Sequence, residues 1–157
     1  MGITILPHIH YLYDFVVSAF IVYQGKVLLI YHKRYNEWLP IGGHIELDED
    51  PEEALYREIS EECGLKVRIL SETPDIRHPG VKPLPTPAFV DAHRIDPRHK
   101  HIAFVYFCVS STDRVRLHTR EHREFRWVSK RELKDPSLRL TRSIYFYCVE
   151  ALKKAKS

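Results

Sequence analysis

The chain has 157 residues, a formal net charge of +3, and 29% charged and 44% hydrophobic residues. Domains usually have roughly 100 to 200 residues, so we expect residues 1–157 to form a single domain with a substantial core. No apolar stretch approaches transmembrane length without a charge, and MGITILPHIH lacks the basic and apolar regions of a secretory signal. These features argue against a membrane or secreted protein and predict a cytoplasmic one.

The cysteines and the basic residues indicate which metals and binding partners the chain is suited to. Three cysteines, odd in number and far apart, favour neither a disulfide framework nor a zinc site: Cys63, Cys108 and Cys148. Five arginines enrich a late stretch, where each is either a phosphate contact or part of a solvated surface: Arg114, Arg116, Arg120, Arg123 and Arg126. No recognised nucleic-acid-binding motif is present, so a specific nucleic-acid partner is not indicated.

The first predicted elements are two apolar runs, residues 15–23 and 26–31, separated by Gln24 and Gly25. A glycine turn between two runs of strand length predicts a β-hairpin. The first run is apolar apart from Ser18, which is typical of a buried strand. Short strand-like segments then lead to the pair Gly42-Gly43, in a loop where the backbone can approach a ligand closely.

A helix is predicted to begin at about residue 51. Asp50 is an N-cap residue, Pro51 suits the first turn, and Glu53 completes a capping box. Gly64 stands where a left-handed residue would end the helix. Four residues form an apolar stripe that would dock this helix on a core: Ala54, Leu55, Ile59 and Cys63.

Three carboxylates crowd adjacent parts of one face of this helix, since Glu58, Glu61 and Glu62 are spaced i, i+3 and i+4. Like charges so arranged repel one another, and a bound cation is the simplest way to make the cluster favourable. Ligands that offer only oxygen suit Mg2+ or Mn2+. A solvated acidic face is the alternative for an isolated E-x-x-E-E pattern.

The later elements complete a mixed chain of strands and helices. Further strands are predicted at residues 66–72, 88–95, 101–109 and 124–128. Five prolines make residues 73–87 a surface loop, because proline fits neither a helix interior nor a central strand. Ser129 and Glu132 form the capping box of a short helix, and a final helix is predicted over residues 141–154. The order of elements indicates an α/β or α+β fold.

Residues 43–65, GHIELDEDPEEALYREISEECGL, match the full pattern G-x5-E-x7-R-E-U-x-E-E-x-G-U, where U is a bulky aliphatic residue. Nine positions match together: Gly43, Glu49, Arg57, Glu58, Ile59, Glu61, Glu62, Gly64 and Leu65. This segment resembles a Nudix box, and the chain resembles the MutT-like Nudix hydrolases from about Asp14 to Leu133. The resemblance implies an α/β/α sandwich around a mixed β-sheet. It also implies a metal-dependent hydrolase that cleaves the pyrophosphate linkage of a nucleoside diphosphate joined to another group.

The resemblance implies a role for each matching residue. Glu58, Glu61 and Glu62 would bind Mg2+ or Mn2+, with the carbonyl of Gly43 as a further ligand. Arg57 would orient a neighbouring glutamate. The general base is either a box glutamate such as Glu61 or an acid in a later loop.

For an acid outside the box, Glu121 and Glu124 are the candidates. Glu121 is preferred because it falls in the less regular part of the chain. A surface glutamate among arginines is the alternative interpretation of Glu121.

The substrate is only weakly indicated by the sequence. A proline about fifteen positions after the box accompanies ADP-ribose hydrolysis in some relatives, and Pro79 lies there among several other prolines. Tyr31, Tyr35 and Trp38 are candidates for stacking on a base or for the core. Many relatives dimerise, which leaves a homodimer open for this chain.

Histidines are numerous, and two pairs invite a metal interpretation. Neither His8 with His10 nor His99 with His101 has a third ligand at helical or zinc-finger spacing, so we interpret them as loop or strand-end residues. His44, directly after Gly43, is close enough in sequence to contact a phosphate.

Two other functions compete with a hydrolase. One is a nucleotide sensor that keeps the fold without catalysis, although no metal carboxylate is missing here. The other is an isomerase of the isopentenyl diphosphate kind, which requires a box that has diverged.

Overall fold

The computed structural model describes residues 12–156, so His8 and His10 lie outside the described part of the chain. Eight strands form one sheet: β1 (Tyr13–Tyr23), β2 (Lys26–His32), β3 (Glu37–Leu39), β4 (Ile41–His44), β5 (Val67–Ile69), β6 (Phe89–Asp96), β7 (His99–Ser110) and β8 (His122–Ser129). Two α-helices and two 3-10 helices accompany them: α1 (Pro51–Glu62), α2 (Arg142–Lys154), Glu132–Lys134 and Pro136–Leu138.

The sheet is mixed, and β1 lies at its centre. β1 runs parallel to β7 from Tyr13 to Val22, whereas every other strand pair of the sheet is antiparallel. On its other side, β1 pairs with β4 near its start and with β2 only at Val22 and Tyr23. The edge of β1 is thus shared by two strands, and β4 delivers Gly42 and Gly43 to the middle of the sheet.

The two α-helices cover opposite faces of this sheet. Side chains of β1 alternate between them, with Val16 and Phe20 in the core layer that contains α2, and Val17 and Ile21 in the layer that contains α1. A strand buried on both faces needs apolar residues at almost every position, which explains the nearly continuous apolar run. The predicted α/β/α sandwich, of α+β class, is therefore confirmed.

Helix α1 begins and ends as its sequence predicts. The side chain of Asp50 accepts hydrogen bonds from the backbone N–H groups of Glu52 and Glu53, and Glu53 Oε2 accepts one from the Asp50 N–H at 2.9 Å. Gly64 follows the helix with a left-handed φ of +65°. The predicted apolar stripe is fully buried: Ala54, Leu55, Ile59 and Cys63. The carboxylates on the other side of α1 are therefore carried by a helix fixed at both ends and along its length.

Most other predicted elements are also confirmed, with three differences in extent. Residues 24 and 25 form the hairpin turn, and the strand over residues 101–109 is central and buried. The strand predicted at residues 66–72 is reduced to Val67–Ile69, because the chain leaves the sheet before Pro74. The strand predicted over residues 124–128 begins earlier, at His122. The helix after Ser129 is a single 3-10 turn, although Ser129 and Glu132 do exchange capping hydrogen bonds.

All three cysteines are free and buried. The loop over residues 73–87 has no regular structure, as its prolines predict. Over residues 12–156, the helices are all too short or too polar to cross a membrane.

Candidate active site

Arg57 is the centre of a hydrogen-bond network at the junction of α1 and β4. Its Nε and Nη2 donate to the two carboxylate oxygens of Glu49 at 2.5 and 2.9 Å. Nη2 also donates to the carbonyl oxygen of His44 at 2.9 Å, and Nη1 donates to Glu58 Oε1 at 2.8 Å. One planar guanidinium thus joins the loop before α1, the end of β4 and a box carboxylate, which is the geometry that arginine provides and lysine does not.

Glu58 lies against the backbone of Gly43. An ideal Cβ at Gly43 would overlap Glu58 Oε1 and lie 2.6 Å from its Cδ, so any side chain here would displace this carboxylate. The Glu58 side chain is 14% exposed. Glycine therefore allows a close approach here, and the approach brings together two of the groups that the sequence selects as metal ligands.

Glu62 is a buried carboxylate with two hydrogen-bond donors. Its Oε2 accepts a hydrogen bond from the Gly42 N–H at 2.9 Å, and its Oε1 lies 2.9 Å from Nε2 of His122. Because a carboxylate only accepts, His122 donates from Nε2. His122 is 1% exposed, and its Nδ1 has no partner among the described residues. Glu62 therefore ties α1 to both β4 and β8.

Glu61 and Glu121 are the exposed acids of the site. The side chain of Glu61 is 61% exposed and lies 3.4 Å from Arg57 Nη1. The carboxylate of Glu121 is exposed, yet its oxygen lies within 4.8 Å of ligand atoms of Glu62 and His122. Glu121 thus lies near one of the box carboxylates, Glu62, and its role as a ligand or base stays a prediction. Glu124, the other acid considered, instead lies 3.7 Å from Arg126.

The loop before β8 is held on the end of α1 by backbone hydrogen bonds. The N–H of Arg116 donates to the Cys63 carbonyl at 2.9 Å, and that of His118 donates to the Glu62 carbonyl at 3.1 Å. Lys33 fixes the same loop from β2, because its N–H donates to the Glu121 carbonyl at 2.9 Å. The position of Glu121 therefore depends on α1 and β2, which lie far from it in sequence.

The pKa values of two glutamates in the site are shifted in opposite directions. Hydrogen bonds from Arg57 lower the pKa of Glu49, and those with Glu49 and Glu58 raise the pKa of Arg57 well above its usual range. Burial raises the pKa of Glu58, and the negative charges of Glu62 and Glu61 raise it further. Glu58 is thus a carboxylate in a buried, negatively charged environment despite its contact with Arg57.

The donor set fits a hard divalent cation. The three box carboxylates and the Gly43 carbonyl carry oxygen ligand atoms only, which Mg2+ and Mn2+ prefer. In the structure Glu58 and Glu61 converge on Arg57, whereas Glu62 lies beside Glu121 and His122. The pKa of Glu58 is raised first by burial and then by the negative charges of Glu62 and Glu61, and Gly43 lies in close contact with the same carboxylate.

Sequence reasoning missed two residues of the site. Glu49 was recognised only as a pattern position, and its role as the bidentate partner of Arg57 needed the folded loop. His122 carries no spacing that marks it, because it meets Glu62 only through the pairing of β8 with β2.

The aromatic candidates for base stacking differ in how far they are buried. Trp38 is a core residue at 5% exposure, whereas Tyr35 is 43% exposed. Arg123 lies over Tyr31 and Arg126 lies over Trp38. These two arginines therefore pack on aromatic rings rather than pointing freely into solvent.

A family model described as the NUDIX domain matches residues 12–147. A Nudix-family hydrolase from Clostridium perfringens is similar in structure, with 35% identity, a TM-score of 0.77, and coverage of 89% of this chain and 96% of that one. An Ap4A hydrolase from C. elegans has 20% identity and a TM-score of 0.59, with coverage of 91% and 95%.

An ADP-ribose pyrophosphatase from Streptococcus suis has 18% identity and a TM-score of 0.54, with 92% of each chain covered. The two structures under 25% identity show the fold alone. Among curated proteins, none is significantly similar to this chain in sequence. The length of the NUDIX match, together with the 35% identity to a Nudix-family hydrolase over most of both chains, means that this chain belongs to the NUDIX hydrolase family.

Proposed function

We propose that the protein is a metal-dependent hydrolase that cleaves the pyrophosphate linkage of a nucleoside diphosphate joined to another moiety. The observation that supports this best is the junction of α1 and β4, where Arg57 and Gly43 hold Glu58 beside two further carboxylates. A solvated acidic face would not need a glycine at the point of contact or a buried glutamate with two donors. We further propose that residues 1–157 act as one domain in the cytoplasm.

Glu58, Glu61, Glu62 and the Gly43 carbonyl would hold Mg2+ or Mn2+. Such an ion, when bound, neutralises charge on diphosphate oxygens and makes a water molecule more acidic. Arg57 positions Glu58 and keeps the Glu49 carboxylate occupied, so that Glu49 does not compete for the cation. Glu61 is an exposed carboxylate at the solvent edge, where a substrate would enter.

Glu121 is our proposed general base, with Glu61 as the alternative. An exposed carboxylate near Glu62 has access to water and to a proton on it, and loss of that proton prepares the water to attack phosphorus. Attack breaks one phosphorus–oxygen bond of the anhydride and leaves two phosphate-containing products. The pairing of His122 with Glu62 supports the position of the whole group, because it fixes the start of β8 next to Glu121.

Phosphorus NMR of the purified protein with Mg2+ tests this function. The panel contains ADP-ribose, dinucleoside polyphosphates, nucleotide sugars and oxidised nucleoside triphosphates, and the fold neighbours give no reason to restrict it. Reaction in water labelled with oxygen-18 identifies the attacked phosphorus. We expect Glu58→Gln and Glu62→Gln to abolish cleavage, and Glu52→Gln, in the first turn of the same helix, to leave it intact.

Cleavage that survives Glu58→Gln would refute the assignment of the site. Absence of cleavage across the panel with both Mg2+ and Mn2+, together with tight binding of one nucleotide, would favour the sensor function instead.

The role of Glu121 is tested separately. Glu121→Gln is expected to lower turnover by roughly 10²-fold, within the range of about 10² to 10⁴ for a general base. Glu124→Gln is the matched control, since Glu124 is a nearby acid that contacts Arg126 instead. Equal turnover in the two variants would remove Glu121 from the site.

A further inference from the structure

A second group of ligand-type side chains lies where β1, β4 and β7 meet, and it contains none of the box carboxylates. It consists of Asp14, His44, His99 and His101, which we call the histidine cluster. The Oδ2 of Asp14 lies 3.3 Å from Nε2 of His44 and 3.2 Å from Nε2 of His99. Nε2 of His101 lies 3.0 Å from Nε2 of His99. One ligand atom from each of the four residues lies within 4.8 Å of the other three.

Strand pairing brings these four residues together. Asp14 pairs with His101 in the parallel register of β1 and β7, and His44 pairs with Val16 of β1 in the antiparallel register of β4. His99 and His101 alternate along β7, with one residue between them. Sequence spacing predicted no third ligand for the pair His99 and His101, because the other two ligands come from strands far away in the chain.

Hydrogen bonding among neutral imidazoles explains this arrangement poorly. Nε2 of His99 faces a carboxylate oxygen on one side and the nitrogen of His101 on the other. A ring nitrogen either donates or accepts, and one proton on His99 cannot serve both contacts well. Without that proton, the His99 lone pair meets the negative charge of Asp14. A cation held between the lone pairs and the carboxylate satisfies all of these contacts together.

The distances also match a metal centre. Zinc with ligand bonds of about 2.0–2.2 Å in tetrahedral geometry separates its ligand atoms by about 3.3–3.6 Å. The three contacts of the histidine cluster are 3.0–3.3 Å, close to that value before any adjustment. We propose that Asp14, His44, His99 and His101 bind a divalent transition metal, with zinc as the expected ion.

The ligand types separate this site from the box. Imidazole nitrogen suits zinc, cobalt, nickel and copper, whereas the oxygen ligands of Glu58, Glu61 and Glu62 suit magnesium and manganese. The side chains of His44 and Asp14 are 54% and 45% exposed, so an ion reaches them from solvent without opening the fold.

His44 belongs to both neighbourhoods. Its carbonyl accepts a hydrogen bond from Arg57, and its ring faces the histidine cluster. A metal at the cluster would therefore restrain the end of β4 next to Gly43.

His93, on β6, is a neighbour of the histidine cluster. Its ring lies 5.4 Å from that of His101, and its Nδ1 contacts Asp91 at 2.7 Å. Asp91 in turn accepts a hydrogen bond from the Tyr147 hydroxyl at 2.5 Å. Because its partner fixes it outside the group, we assign His93 as a neighbour and not as a ligand.

Cobalt absorption tests this site without reference to catalysis. The full chain without a histidine tag is stripped with a chelator, supplied with excess Mg2+ to occupy the box, and titrated with Co2+. Nitrogen-ligated tetrahedral Co2+ absorbs visible light far more strongly than octahedral Co2+ bound by oxygen. We expect one strongly absorbing Co2+ per chain, displaced by one equivalent of Zn2+.

Variants locate the ion and control for folding. His99→Ala and Asp14→Asn are each expected to weaken Co2+ binding by roughly 100-fold or more, beyond the 10–100-fold cost of losing an outer partner. Their circular dichroism spectra should match the wild type. Glu58→Gln, His78→Gln and the double change His8→Gln with His10→Gln are expected to keep the absorption.

Three results would overturn the proposal. These are the absence of the band in the wild type, its survival in both His99→Ala and Asp14→Asn, and its loss in Glu58→Gln or in the double variant.

Discussion

The substitution Gly43→Ala is expected to disturb the proposed site without destabilising the fold. The backbone φ of Gly43 is outside the left-handed region, so alanine adds no backbone strain there. The added Cβ would lie 2.3 Å from Glu58 Oε1, and ordinary contact begins at 3.4 Å, so this carboxylate must retreat by about 1.1 Å, the difference between the two. Displacement of a catalytic group by about 1 Å costs roughly 10²-fold in rate. We therefore expect turnover to fall by roughly 10²-fold and Mn2+ affinity to fall with it.

The matched control is Gly25→Ala in the hairpin turn. No atom lies within 4 Å of a Cβ there, but the φ of +75° is left-handed. An L-residue in that conformation costs roughly 1 kcal/mol, which lowers the Tm by about 2–4 °C in a chain of this size. Gly25→Ala should therefore lower stability and leave activity unchanged. Gly43→Ala should lower activity and leave stability unchanged. Electron paramagnetic resonance of Mn2+ and thermal melts measure the two effects, and a Gly43→Ala protein with wild-type Mn2+ affinity would refute the reasoning.

Three further predictions concern the surroundings of the site. His122→Leu removes the donor to Oε1 of the buried Glu62 carboxylate, while Oε2 keeps the Gly42 N–H, and should lower the free energy of unfolding by roughly 1–3 kcal/mol in urea titrations; unchanged stability would contradict the pairing. Lys82 contacts Asp50 at 2.6 Å, so Lys82→Ala should speed proteolysis within residues 73–87, and an unchanged cleavage rate would argue against this anchor. Burial raises the pKa of the Cys63 thiol to about 11 and those of the other two thiols to about 12, so a disulfide reagent at about pH 8 should titrate no thiol before unfolding and three per chain afterwards.

The sequence predicts an element well when its capping residues and its buried face lie close together in the chain. The capping box of α1, its apolar stripe and its terminal glycine lie within 15 residues of one another, from Asp50 to Gly64, and each is set by neighbours in sequence. The 3-10 turn after Ser129 was harder, because the same capping pattern also starts longer helices. The division of the β1 edge between β2 and β4 has no local cause, and it appears only when the whole sheet is assembled.

The site was predictable for a similar reason. The three box glutamates share one helix, so their spacing alone places them on adjacent parts of it. Glu49 and His122 reach the site through a loop and a strand pairing, and the histidine cluster depends on three strands at once. Sequence spacing finds ligands that a single element carries, and it misses those that the sheet brings together.

Glu61 and Glu62 show how one helix gives two neighbouring carboxylates different roles. Adjacent residues on a helix point about 100° apart, so Glu62 faces β4 and β8 while Glu61 faces solvent. Glu62 accepts one hydrogen bond on each oxygen, which fixes its orientation and leaves a lone pair on each for a cation. Glu61 has only a long contact with Arg57 and keeps its rotamer freedom. In the proposed site, the buried carboxylate would therefore provide a fixed ligand position, and its exposed neighbour would provide a ligand able to adjust when the substrate enters.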